Sequence, residues 1–172
     1  MTIPTTVSLR SAEDNDETFL LELFTESRAS EFESLGLPAA QLQPLLSMQF
    51  RAQQASYQQS WPKAEMSIVS VEGNPVGQLY VDRSQADGIR IVDVSLLPRI
   101  RNRGIGTQLL TSLIDEAHST GKIVRLHVHK QNQAIRLYQR LGFQLAESQS
   151  TGQELYVAME CKPPEPSPFE SL

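Results

Sequence analysis

The chain has 172 residues, with 15 Lys or Arg against 20 Asp or Glu, a formal net charge of −5 and 40% hydrophobic residues. That length suits one domain burying about 70% of its unfolded surface, so the core needs no disulfide or metal staple. Net acidity argues against bulk nucleic-acid binding, the 1 Cys excludes a disulfide framework or multi-cysteine zinc site, and no apolar run is long enough to span a membrane.

In chain order, Thr5 to Arg10 reads as a first strand, with Ser11 placed to cap a helix and Asp14 in its first turn. Phe19, Leu20, Leu23 and Phe24 recur at helical spacing until Gly36-Leu37-Pro38, which gives a helix over about Ala12 to Leu35. A second helix, Pro44 to Ser60, carries Leu45, Leu46, Met48, Phe50 and Tyr57 as core candidates and ends near Trp61-Pro62. Met66 to Val71 and Val76 to Val81 form a hairpin about Gly73-Asn74-Pro75. After the turn Gln85 to Gly88, Ile89 to Leu97 is a strongly apolar strand that Pro98 closes. A basic loop, Arg99 to Gly106, leads into a helix built on Leu109, Leu110, Leu113, Ile114 and Ala117 and stopped by Gly121. Ile123 to Val128 is a further strand, Asn132 opens a short helix ending at Gly142, and Phe143 to Ala146 pairs with Leu155 to Met159. Period-2 and period-3.6 patterns alternate, as in a mixed α/β domain. The single domain is expected over residues 1–161, followed by a disordered Pro-rich tail, 162–172. The first residues lack a charged start followed by an apolar block, so no export signal and a cytoplasmic location are expected.

Arg101-Asn102-Arg103-Gly104-Ile105-Gly106-Thr107 is the most informative stretch. Two glycines let main-chain N–H groups curl around a ligand, and the loop ends on a helix N-terminus whose orphan donors favour an anion. Arg101 and Arg103 add charge, and a pyrophosphate is the natural guest. A tight turn with solvated arginines accounts for the loop equally well. Gly-Lys-Ser/Thr is missing, which disfavours a nucleoside-triphosphate enzyme.

The loop in its context, with Asn132-Gln133-Ala134-Ile135-Arg136-Leu137-Tyr138 to Leu141-Gly142-Phe143 downstream, resembles the GCN5-related N-acetyltransferase (GNAT) family. Arg101, Gly104 and Gly106 meet the family pattern (Arg/Gln)-x-x-Gly-x-Gly/Ala, and the second segment departs only where Gln133 replaces a common Pro. The resemblance covers about Val76 to Met159. It implies a mostly antiparallel sheet with one splayed parallel strand pair, flanked by helices, and acetyl-CoA held where those two strands part.

Carried over, the backbone of Val94, Ser95 and Leu96 would bond the pantetheine arm like an added strand, one N–H holding the thioester carbonyl. Asn102, Arg103, Gly104, Ile105, Gly106 and Thr107, next to Arg101, would cradle the pyrophosphate. Asn132 would reach the pantetheine amide, although an Asn before a helix is also a good cap. Tyr138 matches the general acid that protonates the leaving thiolate; the alternative is one more core aromatic. His127 stands where some members carry a catalytic Glu, as a base or as packing under the cofactor, and Asp93 is the other base candidate, with its facing ambiguous.

On the acceptor side, Glu22, Glu26, Glu31 and Glu33 could attract a cationic amine or form a solvated face, and Tyr80 and Asp82 could face the cleft. The resemblance thus implies an acetyl-CoA-dependent enzyme acting on a primary amine in a ternary complex, with a homodimer as common in the family; composition adds the expectation of no metal, no nucleic acid and no membrane. The alternative is a catalytically silent acyl-CoA-binding or sensing module of the same fold.

Overall fold

The computed structural model describes residues 5–147, 155–166 and 168; the remainder of the expected tail (167 and 169–172) lies outside the described residues. The elements are β1 (Val7–Ser11), α1 (Glu17–Glu33), α2 (Ala39–Ser60), β2 (Glu65–Val71), β3 (Asn74–Asp82), β4 (Gly88–Leu96), α3 (Ile105–Ser119), β5 (Ile123–His129), α4 (Ala134–Arg140), β6 (Gln144–Leu145) and β7 (Tyr156–Cys161). Hydrogen-bonded neighbours run β1-β2-β3-β4-β5-β7-β6, a seven-stranded mixed sheet in which β4 and β5 are parallel. The chain divides into two compact units, one of Met1–Asp82 with Val92–Gly106 and one of Arg83–Ile91 with Thr107–Leu172, so β4 contributes its second half to the first and its first half to the second.

In the first unit, β1, β2 and β3 form an antiparallel meander from Val7↔Val71 to Glu65↔Val81. Ser11 is the last residue of β1 rather than a helix cap. Asp16 does that local work: its Oδ2 accepts the Glu13 N–H at 2.8 Å, and Arg10 grips both carboxylate oxygens at 2.7 and 2.8 Å. The hairpin turn also differs from expectation. Glu72 and Gly73 carry positive φ (51° and 81°), so the turn is Glu72-Gly73, while Asn74 and Pro75 begin β3. A register shift between Val69 and Ser70 lets Pro75, which has no N–H, sit in the strand. The apolar stripe of α1 and α2 packs on β2: Leu20, Phe24, Phe32, Leu46, Phe50 and Ile68 form one buried cluster, with Phe24 edge-on to Phe50. Helix α2 starts earlier than Pro44, with Pro38 at its N-cap, and carries Pro44 inside its second turn, where the ring gives no N–H to the Ala40 carbonyl.

In the second unit, β5 pairs parallel with β4 (Gly88↔Ile123 to Ile91↔Leu126) and antiparallel with β7 (Val124↔Cys161 to His129↔Tyr156). Leu109, Leu110, Leu113, Ile114 and Ala117 of α3 are all buried, the stripe its spacing predicts. Arg125 on β5 bridges Asp87 (2.8 Å) and Glu160 (3.3 Å), and Gly88 makes room for it, since a Cβ there would lie 2.3 Å from its Nη1. Among the described residues no helix is long and apolar enough to cross a membrane, and no three His, Cys, Asp or Glu side chains converge to hold a metal ion.

Candidate active site

The first unit holds one strand-loop-helix passage. In the second unit the β4–β5 register runs from Gly88↔Ile123 to Ile91↔Leu126; in the first, β4 continues as Val92–Leu96. This stretch is seated against β3: Leu97 N–H donates to the Val76 carbonyl at 2.8 Å, and a Cβ on Gly77 would lie 2.3 Å from the Ser95 carbonyl oxygen. Gly77 is therefore required by close backbone approach, a role that a lone glycine inside a strand pattern signals.

A 3-10 turn, Pro98–Ile100, follows, and then the loop. Asn102 (φ 62°) and Gly104 (φ 81°) adopt left-handed backbone, and α3 begins at Ile105 with no acidic residue in its first turn. A Cβ added to Gly104 would meet nothing within 4 Å, so the loop is open there. Arg101 to Gly104 and Thr107 are exposed, while the Ile105 side chain is buried and anchors the helix start. The orphan N–H groups of that first turn and the loop amides form the kind of anion-binding end that suits a phosphate. Arg101 points back into its own unit: Nε donates to the Leu96 carbonyl at 3.1 Å and Nη2 to Ser27 Oγ at 3.3 Å. Arg99 pairs with Glu26 at 3.6 Å, so one turn of α1 holds the loop at two points.

Asp93, midway along this part of β4, faces Gln78 of β3. Gln78 Nε2 and Ser95 Oγ (3.0 Å) both donate to its Oδ2. Burial pushes the Asp93 carboxyl above the ordinary carboxylate range, opposed by those two hydrogen bonds and by the field of Arg28. Tyr80 lies edge-on to Tyr57 of α2, and burial raises its phenol, with Asp82 adding to the effect.

The second unit carries the other three predicted side chains. Asn132 Oδ1 accepts the Ala134 N–H at 2.9 Å, so the residue caps α4 as its position suggests. Tyr138 on α4 is only 7% exposed and lies edge-on to Phe143 at 5.6 Å. His127 is exposed, and its Nδ1 lies 2.7 Å from Arg90 Nη1. A guanidinium only donates, so Nδ1 accepts, and the neutral imidazole carries its hydrogen on Nε2. His129 Nδ1 accepts the Gln131 N–H at 3.1 Å, its ring edge-on to Tyr156. Buried Cys161, its thiol pushed up by burial, lies near His118.

Residues 24–143 match the family model described as acetyltransferase (GNAT) family. The chain belongs to the GNAT acetyltransferases. An N-acetyltransferase from Methanocaldococcus jannaschii, itself described as uncharacterized, is 36% identical over 88 residues, 46% of this chain and 39% of that protein. This GNAT acetyltransferase thus spans about two fifths of that relative's length. Among solved structures, the PaiA N-acetyltransferase of Thermoplasma acidophilum in complex with coenzyme A superposes with a TM-score of 0.66 at 18% identity, covering 91% of this chain and 99% of that one. An acetyltransferase from Thermus thermophilus gives 0.62 at 20% identity over 90% and 96%. At these identities the likeness concerns the fold, and it agrees with the α/β mixed sheet and its parallel pair.

Two residues that meet the second half of β4 escape sequence reasoning. Gln78 lies in an otherwise apolar strand segment, and Gly77 beside it is the lone glycine of that strand; both are visible signals. Their partners on β4 are not.

Proposed function

We propose that this GNAT acetyltransferase uses acetyl-CoA and moves the acetyl group to a primary amine by direct attack, without an acyl-enzyme. The observation that carries the reading is the open glycine loop after β4, with Asn102 and Gly104 in left-handed backbone, that ends on a helix N-terminus free of acidic residues. Backbone groups of Val94, Ser95 and Leu96 pair with the pantetheine arm, and one N–H polarises the thioester carbonyl. Main-chain donors of Asn102, Arg103, Gly104, Ile105, Gly106 and Thr107 hold the pyrophosphate, with Arg103 adding charge and Arg101 bracing the loop. Asn132 still has its side-chain N–H groups to offer the arm while Oδ1 caps α4. The coenzyme A bound in the Thermoplasma relative supports this choice of ligand.

Tyr138 is the proton donor. A phenol of ordinary pKa about 10 can protonate a thiolate of pKa about 8–9 as it leaves. The proton acceptor is a separate matter. A primary amine of pKa about 10 is only about 0.1% neutral at pH 7, roughly 4 kcal/mol of deficit, so a group must take its proton. His127 does so only if its bond to Arg90 breaks, because its accepting nitrogen is engaged and the other carries hydrogen.

Mixing the protein with acetyl-CoA and a panel of primary amines, and following free thiol, tests the reading. Amine-dependent thiol release supports it. A melting temperature raised by acetyl-CoA, with no thiol from any amine, identifies instead a silent acyl-CoA-binding module, the reading that the Arg90–His127 bond favours. No effect of acetyl-CoA on either readout sinks both.

A further inference from the structure

In the second unit, β5 turns its side chains alternately to two sides. Val124, Leu126 and Val128 are buried, and Arg125, His127 and His129 alternate with them on the other face. The register sets Arg90 of β4 opposite Arg125, and Glu160, Ala158 and Tyr156 of β7 opposite Arg125, His127 and His129. Within the unit, the charged and titratable groups of this face are thus Arg90, Arg125, His127, His129, Tyr156 and Glu160, with Asp87 just before β4.

Both carboxylates serve one cation. Asp87 and Glu160 bond Arg125 at 2.8 and 3.3 Å, and those guanidinium hydrogen bonds hold the Asp87 carboxyl below its ordinary range, so it stays ionised wherever a histidine titrates. Arg90 instead bonds an imidazole: its Nη1 lies 2.7 Å from His127 Nδ1. A guanidinium is always a cation and has only donors, so this bond exists only with a neutral ring. Once protonated, His127 has an N–H at both nitrogens. The contact then sets donor against donor and cation against cation, and it must open or take an acceptor between the two. His127 is exposed, so a small ion reaches it. Two cations with one acceptor to share match a phosphate group, which carries up to two negative charges and has oxygens for both.

We propose that Arg90 and His127 form an acid-opened phosphate site, closed by their own bond while His127 is neutral and bridging a phosphate group once it is protonated. The site lies within the second unit and does not depend on the acetyl transfer proposed above. By linkage, the proton and the anion favour each other's binding equally.

NMR of ¹⁵N-histidine-labelled protein follows His127, whose resonances are those missing from His127→Gln. At about pH 8, well above the ordinary imidazole value, wild type is expected to carry its hydrogen on Nε2. Its titration midpoint should lie about one pH unit below that of Arg90→Met, which lacks both donor and cation. Replacing chloride with inorganic phosphate at constant ionic strength should raise the wild-type midpoint by at least about 0.3 unit, a twofold gain in proton affinity, and that of Arg90→Met by less than half as much. Glycerol 2-phosphate in the same titration separates the guests: an equal rise assigns the site to phosphate esters, no rise to the free ion. Hydrogen on Nδ1 in wild type, equal midpoints in the two proteins, or a wild-type midpoint indifferent to inorganic phosphate overturns the proposal. Because His127 itself is the readout, phosphate held at the glycine loop does not enter the result. Should Arg90→Met fail to fold, the wild-type tautomer and its phosphate shift still decide.

Discussion

Arg101 Nε donates to the carbonyl of Leu96 at 3.1 Å, so the arginine that opens the glycine loop is tied back to the end of β4. With its second bond to Ser27 on α1, Arg101 is a brace between strand, loop and helix rather than a free charge for the phosphates. A Gln side chain places its Nε2 donor as many bonds from Cβ as Arg Nε, without charge, whereas Lys has a methylene there. Arg101→Gln should therefore keep coenzyme A affinity within about threefold. Arg101→Lys and Arg101→Ala should lose about tenfold, one hydrogen bond's worth. Calorimetry decides, and a Lys variant that binds better than Gln makes Arg101 a charge after all.

Tyr138→Phe keeps the ring that meets Phe143 at 5.6 Å and removes only the hydroxyl. Steady-state turnover should drop about 10²-fold while acetyl-CoA affinity holds. Equal loss in turnover and in affinity would assign the hydroxyl to binding instead.

Gly77→Ala places a Cβ 2.3 Å from the Ser95 carbonyl oxygen, so β3 or β4 must shift. Beyond a loss of about 1–3 kcal/mol in stability, the overpacking scale, the moved backbone is the one assigned to the pantetheine arm. Denaturant unfolding and coenzyme A titration should both report the change; unfolding alone would detach Ser95 from the cofactor.

The Arg10–Asp16 pair gives an acid limb to stability. The folded carboxyl is at about 2 and the unfolded one at its ordinary value near 3.9. Its contribution is complete above the unfolded value and is lost as pH falls through the folded one. Asp16→Asn should thus melt below wild type at pH 7, the gap closing between about pH 4 and pH 2. A gap that stays constant over that window would assign the loss to packing alone.

How much of this is legible in the sequence depends on whether the cause is local. The apolar run of β4, the leucine stripe of α3 and the Asn132 cap are written in neighbouring residues, and the structure has them within a residue or so. The hairpin turn misleads because Asn74-Pro75 looks like turn chemistry, whereas the chain puts Glu72 in left-handed backbone and absorbs Pro75 at a register shift. Ser11 looks like a cap because nothing nearby in sequence shows that Arg10 and Asp16 pair instead. Asp93 sits between Val92 and Val94, so alternation says nothing of its facing; Gln78, fifteen positions away, decides it. Likewise no periodicity tells that Arg101 bends inward.

The most direct measurement titrates coenzyme A into wild-type protein, Gly104→Asn and Gly104→Asp. Asn and Asp tolerate left-handed backbone alike, and a Cβ at this position meets no neighbour within 4 Å, so both variants should fold. The loop amides can accept a diphosphate only while no anion precedes it. One-site binding in wild type, weakened in Gly104→Asn and weakened at least about tenfold further in Gly104→Asp, is the predicted result. Equal affinity in all three proteins, or no binding to wild type, would contradict the assignment of the loop.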